Sequence, residues 1–263
     1  MAADDEFPVL VERHGAVCVL TLNRPAALNA VNTALAAALG TALEEAAQDT
    51  AIRAVVVTGN GRAFCAGADL KEIAAGVHTA IEHPDWGFAG MVRHWVSKPV
   101  IAAVNGLALG GGAEIVLAAD LAVADPAATF ALPEVRRGLA ANGGGVLRLH
   151  RQIPPKIALG LALTGDTIDA DSALRWGLVN EVSGPGRSLE AALELAQRVA
   201  RNAPLAVEAT KRLVHRAQRH DDSWDPAFWQ RNDDELSVLL HTDDAREGAR
   251  AFAERRDPRW TAT

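Results

Sequence analysis

Val100-Ile-Ala-Ala-Val104-Asn105-Gly106-Leu-Ala-Leu-Gly110-Gly111-Gly112-Ala113-Glu114 is the stretch that decides the fold of this chain. It begins with a short, apolar run rich in β-branched residues, which predicts a buried strand ended by Asn105-Gly106. The three glycines cost backbone entropy and add no packing, so they indicate that the main chain approaches another group closely. The apolar run 113–119 predicts a buried helix. The glycine N–H groups would lie at its positive dipole end, where negative charge is stabilised.

Glu114 and the glycine run permit two interpretations at this point. Glu114 stands three residues after Gly111, in an apolar neighbourhood where burial should raise the pKa of its carboxyl. It can be a functional acid beside a turn that stabilises developing charge. It can equally be a capping residue in a tight strand-to-helix turn. A transmembrane segment over 99–124 is excluded, because Asn105, Glu114, Asp120 and the glycines interrupt the apolar run.

Length, composition and charge narrow the class of protein. A chain of 263 residues forms one large domain, or one domain with a smaller appendage. Its apolar fraction of 49% and charged fraction of 22% are typical of a soluble globular protein. A net charge of −7 without a basic block argues against a nucleic-acid partner, including an RNA-binding role. We therefore expect a globular protein whose partners are neither nucleic acid nor membrane.

The cysteines and the first residues indicate the cellular compartment in which we expect the protein. Cys18 and Cys65 show neither metal-ligand spacing nor a disulfide framework, which is typical of a reducing cytosol. The first residues are acidic and lack an apolar signal core. We therefore expect a cytoplasmic protein.

Strand and helix patterns alternate through residue 135. The apolar stripe at Leu35, Leu39 and Leu43 predicts a helix capped by Asn32 or Thr33. Strand–helix–strand units repeat about three times, with similar strand-to-glycine-turn-to-helix crossings at 55–72 and 100–119. We expect residues 73–90 to be a loop or a mobile helix, in which Trp86 and Phe88 line a pocket or pack locally. Further predictions are a strand pair at Val9–Glu12 and Val17–Leu22, strands at Ile52–Thr58 and Leu121–Ala124, and a helix at Met91–Val96.

The chain beyond residue 144 is predicted to be mostly helical. Helical patterns cover 154–163, 169–176, 188–201, 204–219 and 224–240. A last helix follows Thr242-Asp243-Asp244, whose acids favour a helix start.

Several motifs in this order together resemble the crotonase, or enoyl-CoA hydratase/isomerase, superfamily over nearly the whole chain. They are Arg24-Pro25-x-x-x-Asn29-Ala30-x-Asn32, Phe64-Cys65-Ala66-Gly67-Ala68-Asp69-Leu70-Lys71, Asn105-Gly106-x-x-x-Gly110-Gly111-Gly112-x-Glu114, Phe130-x-x-Pro133-Glu134, Leu163-Thr164-Gly165, Trp176-Gly177-Leu178-Val179 and Asp244-x-x-Glu247-Gly248-x-x-Ala251-Phe252.

The resemblance implies an α/β fold: a crotonase-like spiral of ββα repeats with a C-terminal helical trimerisation region. The spiral core with the acyl-CoA site would occupy residues 1–195, and the helical oligomerisation region residues 196–263. Such chains assemble as homotrimers, and trimers commonly pair into homohexamers. The sequence leaves the choice between trimer and hexamer open.

The resemblance also implies an oxyanion hole and a pair of acids. The backbone N–H groups of Ala68 and Gly111 would polarise the thioester oxygen of an acyl-CoA. Glu114 and Glu134, 20 positions apart, match the two glutamates that hold and activate water in hydratases of this family. Glu134 alone could be no more than a helix-start acid after Pro133. Two carboxyls in one apolar cavity should titrate as a coupled pair, and which one is acid and which is base stays open.

The predicted function is that of an enoyl-CoA hydratase in lipid and fatty acid metabolism. It is a hydro-lyase that reversibly adds water to a 2-enoyl-CoA to give a 3-hydroxyacyl-CoA. The alternatives are another lyase or isomerase of this superfamily, such as a carnitinyl-CoA dehydratase, and a CoA-binding scaffold without turnover. Acyl chain length and physiological direction are not determined. No cofactor is expected, because coenzyme A is part of the substrate.

Coenzyme A would be bound, by resemblance, through the first glycine turn and a neighbouring subunit's last helix. Arg255 stands where lysine is frequent, and Ala26 stands where many members carry lysine. The loop 138–145 lacks a proline-glycine pair common in hydratases, which leaves acyl preference open. The predicted CoA-binding residues are Ala27, Leu28, Ala66, Ala68, Asp69, Leu70, Lys71, Phe252 and Arg255.

Histidines 78, 83 and 94 cluster in the least regular region. A metal site there is less expected than packing or surface roles, because the sequence contains no His-Glu-x-x-His pattern. We predict no metal site.

Overall fold

Two main β-sheets, a short hairpin and ten α-helices make up the described residues 7–74, 81–217 and 225–263 of this computed structural model. The strands are β1 (Val9–His14), β2 (Val17–Leu22), β3 (Ala54–Gly59), β4 (Ala63–Cys65), β5 (Glu82–His83), β6 (Gly87–Phe88), β7 (Val100–Val104), β8 (Leu107–Leu109), β9 (Leu121–Ala124), β10 (Thr129–Ala131), β11 (Ile168–Asp169) and β12 (Glu181–Val182). The helices are α1 (Thr33–Gln48), α2 (Leu70–Ala74), α3 (Gly111–Ala118), α4 (Gly145–Gln152), α5 (Pro155–Thr164), α6 (Ala170–Trp176), α7 (Ser188–Ala200), α8 (Pro204–Ala217), α9 (Pro226–Leu240) and α10 (Asp243–Glu254).

Successive repeats add one strand to each sheet. The six-stranded sheet has the order β1-β2-β3-β7-β9-β12, and the four-stranded sheet has the order β11-β10-β8-β4. The chain passes from β3 to β4, from β7 to β8 and from β9 to β10, and each pair continues into a helical segment. All neighbours within this series are parallel. This arrangement is the predicted spiral of ββα repeats, and the predicted α/β fold is confirmed.

The six-stranded sheet is buried on both faces. Val55 and Val57 of β3 lie in one apolar cluster with the stripe of α1, whereas Ala54 and Val56 lie in another with Ala192 of α7. Alternate residues of a strand point to opposite faces, so a sheet covered on both sides needs a continuous apolar run. This is why β3 and β7 carry apolar residues almost throughout.

Two local predictions agree closely with the structure. β7 and β9 have the bounds predicted for them. Asn32 caps α1, because its side chain accepts a hydrogen bond of 2.9 Å from the N–H of Leu35.

The predicted helix at Met91–Val96 is wrong. These residues form isolated turns, such as the bond from the N–H of His94 to the carbonyl of Met91 at 2.9 Å. Gly90 just before them has φ +67°, and a Cβ on it would lie 2.5 Å from the carbonyl oxygen of Ala36. Met91, Val92 and Val96 are buried in the apolar cluster that contains the α1 stripe, so tertiary packing rather than a helical hydrogen-bond series sets the backbone here.

The segment 73–90, predicted to be a loop or mobile helix, is divided. α2 ends at Ala74, residues 75–80 lie outside the described ranges, and β5 pairs with β6 in a hairpin. Trp86 stacks between His83 and His94 at centroid distances of 4.1 and 4.4 Å, so it packs locally.

The C-terminal part is helical as predicted, and its end is tied down by a buried acid. The carboxylate of Asp244, 3% exposed, accepts a hydrogen bond of 2.7 Å from the N–H of Thr261. α7 runs through residue 195 while packing on the sheet, and the division of the chain there stays a prediction. Within the described ranges, no helix is both long and apolar enough to cross a bilayer.

Candidate active site

The turn between β4 and α2 directs one backbone N–H group outwards. The N–H of Val31 donates a hydrogen bond to the carbonyl of Gly67 at 2.7 Å, and the carbonyl of Val31 accepts one from the N–H of Asp69 at 2.8 Å. Successive N–H groups of extended backbone point to opposite sides, so the N–H of Ala68, between these two bonds, points away from Val31. Gly67 makes the turn possible, because its φ is +90°.

The turn between β8 and α3 lies directly against the first turn. A Cβ on Gly67 would come within 2.8 Å of the carbonyl oxygen of Leu109 and 3.0 Å of the nitrogen of Gly111. Gly110, with φ +56°, donates its N–H to Ala131 at 2.8 Å, and Gly111 begins α3. Across residues 7–74, 81–217 and 225–263, no hydrogen bond is recorded from the N–H of Ala68 or of Gly111. The structure thus places the two predicted oxyanion donors on neighbouring turns.

Polar side chains behind the first turn hold it in place. Arg24 Nη1 donates to Asp69 Oδ2 at 3.1 Å, and both side chains are largely buried. Asn29, fully buried, donates to the carbonyls of Asn60 and Ala63 at 2.9 and 2.8 Å. A buried ion pair and a saturated amide resist movement, because breaking either leaves buried polar groups unpaired. Arg24 and Asn29 therefore act as supports of the turn that carries Ala68.

Glu114 is buried and held by backbone donors. Its side chain comes from the first turn of α3, and the residue is 4% exposed. Glu114 Oε1 accepts the N–H of Gly145 at 2.9 Å, and a Cβ on Gly143 would lie 2.5 Å from Oε2. Burial raises the pKa of Glu114 to about 7, the charges of Glu134 and Glu82 add to the rise, and the N–H groups of Gly145 and Gly143 oppose it. This carboxyl can change its protonation state near neutral pH.

Glu134 reaches the glycine turn from the other side. It lies in a 3-10 helix, Pro133–Arg137, directly after β10. A Cβ on Gly110 would lie 2.9 Å from Glu134 Oε1. Glu134 Oε2 is buried, and within the described part of the chain it has no hydrogen-bond partner. Burial also raises the pKa of this carboxyl, while the charge of Arg137 lowers it. Glu134 thus offers a desolvated oxygen beside the start of α3.

The predicted CoA-binding residues of the first turn lie together. The N–H of Ala66 donates to the carbonyl of Leu28 at 3.0 Å, which places Leu28 and the adjoining Ala27 beside Ala66. Leu70 and Lys71 begin α2 and are exposed. The carboxylate of Asp69, in contrast, is used internally by Arg24 and by the N–H of Lys71.

Phe252 and Arg255 lie on the last helix. Phe252 is 88% exposed on α10, and Arg255 ends that helix with φ +52°. Their predicted contact with CoA in a neighbouring subunit stays a prediction.

Histidines of the predicted cluster have local partners. His94 Nε2 lies 2.9 Å from Glu44 Oε2, and His83 Nδ1 accepts the N–H of Asp85 at 3.2 Å. His78 lies outside the described residues. No group of three or more His, Cys, Asp or Glu residues within the described ranges could hold a metal ion.

Sequence reasoning did not connect Gly143 and Gly145 with Glu114, and for Phe88 it left a pocket and local packing open. The ring of Phe88 packs on Gly111, and the two glycines enclose the carboxyl of Glu114. Gly143 and Gly145 belong to a second run of three glycines, so the signal that singled out 110–112 was present there too.

Comparison with known proteins identifies the family. The family model for enoyl-CoA hydratase/isomerase matches residues 12–263. A carnitinyl-CoA dehydratase of Salmonella arizonae is 41% identical over 253 residues, covering 94% of this chain and 96% of that protein. The crystal structure of an enoyl-CoA hydratase from Mycobacterium tuberculosis is 45% identical with a TM-score of 0.92, covering 97% of this chain and 99% of that one. A carnitinyl-CoA hydratase structure from Mycobacterium avium is 52% identical with a TM-score of 0.77 and the same coverage. This chain therefore belongs to the enoyl-CoA hydratase/isomerase family of the crotonase superfamily, and it is an enzyme of hydro-lyase type.

Proposed function

We propose that this enzyme reversibly adds water to a 2-enoyl-CoA and forms a 3-hydroxyacyl-CoA. The observation that carries the proposal is that Glu114 lies in the first turn of α3 while Glu134 Oε1 lies 2.9 Å from the position of a Cβ on Gly110, the residue just before that helix. Their charges interact, since the charge of Glu134 contributes to the raised pKa of Glu114. Water addition needs one group to take a proton and another to give one, and such a pair can do both.

The proposed reaction begins at the thioester oxygen. The N–H groups of Ala68 and Gly111 donate to this oxygen as negative charge develops on it. Such donors matter most when fixed beforehand, and loss of one typically lowers the rate about 10²–10³-fold. The bonds of Val31 to the first turn and of Gly110 to β10 supply that rigidity.

Proton transfer completes the addition. Glu114, as carboxylate, takes a proton from water while the oxygen bonds to C3 of the acyl group. Glu134, as carboxylic acid, gives its proton to C2. The two carboxyls share one proton as a coupled pair. We assign the base to Glu114, because backbone N–H groups orient its carboxyl and its pKa of about 7 suits a base near neutral pH, and the acid to Glu134, whose Oε2 has no partner among the described residues. The proton then returns from Glu114 to Glu134 through solvent.

The proposal needs no cofactor beyond the coenzyme A of the substrate. The backbone around Ala66 and Leu28 would bind CoA, and Lys71 at the start of α2 would lie nearby. Phe252 and Arg255 would complete the site of a neighbouring subunit in a homotrimer or a dimer of trimers.

The test is direct measurement of hydration. The protein is mixed with crotonyl-CoA, and loss of the enoyl-thioester absorbance is followed, then repeated with straight-chain and bulky enoyl-CoAs. We expect absorbance loss with at least one of these thioesters. Binding of CoA without turnover of any of them would contradict the proposal and favour a scaffold.

A second candidate, dehydration of carnitinyl-CoA, is favoured by the names of two relatives. The Salmonella arizonae carnitinyl-CoA dehydratase is 41% identical to this chain, and the Mycobacterium avium carnitinyl-CoA hydratase is 52% identical. Formation of enoyl-thioester absorbance from carnitinyl-CoA, faster than from 3-hydroxybutyryl-CoA, would identify it.

A further inference from the structure

Arg148 of α4 lies beside the glycine loop that holds Glu114. It stands one helical turn after Gly144, and its N–H donates to the carbonyl of Gly144 at 2.9 Å. Its side chain folds back over the same glycine, because Nη1 fills the space that a Cβ on Gly144 would need. The two neighbours of that glycine, Gly143 and Gly145, enclose the carboxyl of Glu114. The guanidinium therefore covers the loop that holds the proposed base.

The second terminal nitrogen of the guanidinium connects this loop to the oxyanion turn. Nη2 of Arg148 donates a hydrogen bond to the carbonyl of Val92 at 2.5 Å. The N–H of Val92, a buried residue, donates to the carbonyl of Phe88 at 3.2 Å. The ring of Phe88 packs on Gly111, one of the two predicted oxyanion donors. One side chain thus joins the loop around Glu114 to the segment that covers the start of α3.

The charge of Arg148 acts on the same carboxyl. Burial lowers the pKa of Arg148, the negative charge of Glu114 opposes this shift, and the positive charge of Arg93 adds to it. Coulomb interactions are mutual, so Arg148 stabilises ionised Glu114 as much as Glu114 stabilises the charged arginine. The charges of Glu134 and Glu82, on two other elements, act in the opposite direction and raise the pKa of Glu114. Arg148 therefore offsets part of the effect of these two acids.

A purely structural clamp would not need a charge at this position. A half-buried cation that faces a second cation, Arg93, is costly unless a negative charge compensates it. The carboxylate whose charge favours the charged form of Arg148 is Glu114. Within the described residues Arg148 forms no salt bridge, so this interaction acts over more than contact distance. Its effect on Glu114 should be smaller than that of a contact pair.

We infer that Arg148 is a positioning residue for the proposed base, which holds the glycine loop around the Glu114 carboxyl and favours its ionised form. The role rests on the proposed function, in which ionised Glu114 takes a proton from water. Arg148 acts through Glu114 and not on the substrate.

The first test is the pH dependence of hydration. We measure kcat/KM for the best enoyl-CoA as a function of pH with the native enzyme, Arg148→Gln and Arg148→Lys. Loss of the positive charge destabilises the ionised base, so the acidic limb of Arg148→Gln should move to higher pH. We expect a shift of roughly 0.5–1 unit, less than the 1–3 units of a contact pair. Arg148→Lys keeps the charge, so its acidic limb should stay near that of the native enzyme even where kcat falls.

Arg151→Gln is the matched control, because it removes the charge of an exposed arginine from the same helix. Its acidic limb should coincide with that of the native enzyme. An unmoved limb in Arg148→Gln, or an equal shift in Arg148→Lys, would overturn the role of Arg148 toward Glu114. Arg148→Met also removes the charge and keeps a good helix former, so it replaces Arg148→Gln if that variant does not fold.

Unfolding measurements separate this inference from the proposed hydration. The unfolding free energies of the native protein and Glu114→Gln are compared over pH, and the comparison is repeated with Arg148→Gln present in both. The fold favours protonated Glu114, so the gain from Glu114→Gln grows with pH and levels off above the folded pKa. With Arg148→Gln present, the gain should level off at a pH roughly 0.5–1 unit higher.

The two results are independent of each other. A shifted pH of levelling without turnover of any enoyl-CoA would reject hydration and keep Arg148 as the residue that favours ionised Glu114. Normal turnover with an unshifted pH of levelling would keep hydration and reject the role of Arg148.

Discussion

Glu114 in the first turn of α3 and Glu134 beside the glycine turn that precedes α3 are both acids of the candidate site, yet their surroundings differ. Glu114 is 4% exposed and accepts the N–H of Gly145, and Gly143 lies against its other oxygen. Glu134 lies in a short 3-10 helix, and its Oε2 has no partner within the described residues. Burial raises the pKa of both carboxyls, and for Glu114 the value reaches about 7.

The difference shows that one site can hold one carboxyl with backbone hydrogen bonds and leave an oxygen of the second carboxyl without a hydrogen-bond partner among the described residues. Backbone donors on α4 and the loop before it orient Glu114 and limit the cost of its charge. Oε2 of Glu134 is buried and has no partner within the described residues, so no donor stabilises its charge. In the proposed reaction, Glu114 orients the attacking water and Glu134 supplies the second carboxyl.

The largest effect is expected from Glu134→Gln. The amide keeps the shape of the side chain but cannot deliver a proton to C2. Since general acid catalysis contributes roughly 10²–10⁴-fold, hydration of the best enoyl-CoA should fall by about that factor. The measurement is the rate of absorbance loss at saturating substrate.

Glu12→Gln on the exposed strand β1 is the matched control and should keep full activity. Normal hydration by Glu134→Gln would show that the unpartnered oxygen has no catalytic role.

A smaller effect is expected on stability when Glu114 is changed to Gln. The folded pKa of about 7 lies above the ordinary value of 4.5, so the fold favours the protonated form. That contribution is fully present below pH 4.5 and is lost as the pH rises through 7. Relative to the native enzyme, Glu114→Gln should therefore gain up to about 3 kcal/mol of unfolding free energy between pH 4.5 and 8. Urea unfolding at a series of pH values measures this.

Glu134→Gln serves as the comparison in the same titration. It should change stability in the same direction but by less. If native and Glu114→Gln stabilities run parallel over this pH range, the pKa of Glu114 is not raised by burial.

The third and smallest effect, a loss of kcat, is expected when Gly143 beside Glu114 is changed to Ala. Its Cβ would lie 2.5 Å from Glu114 Oε2 and 2.9 Å from the carboxyl carbon, so the carboxyl must move. A misplacement of about 1 Å can lower kcat roughly 10²-fold. Steady-state kinetics should show this loss mainly in kcat.

Gly160→Ala on α5 is the control, since nothing lies within 4 Å of its added Cβ. It should keep activity and gain about 0.5–1 kcal/mol of stability, as expected for alanine replacing glycine in a helix. Unchanged kcat in Gly143→Ala would mean that the contact with Glu114 does not fix the carboxyl.

The sequence by itself determined the longer elements and the candidate acids. The strands at Val100–Val104 and Leu121–Ala124 and the Asn32 cap follow from patterns within a few residues. The motifs indicated Glu114, Glu134 and the two glycine turns, and the fold they predicted is confirmed. The glycine turns could also be predicted locally, because a backbone conformation that only glycine adopts easily requires a glycine at that position of the sequence.

Tertiary structure alone decided the second sheet and the surroundings of each acid. β4, β8 and β10 have three residues each, too few to show a period, and their partners lie far along the chain. The helix predicted at Met91–Val96 is wrong because burial of Met91, Val92 and Val96 in the apolar cluster with α1 overrides the local pattern. The placing of Gly145 and Glu82 near Glu114 depends on contacts between distant segments, and burial, which sets the pKa of the acid pair, exists only once those segments have packed.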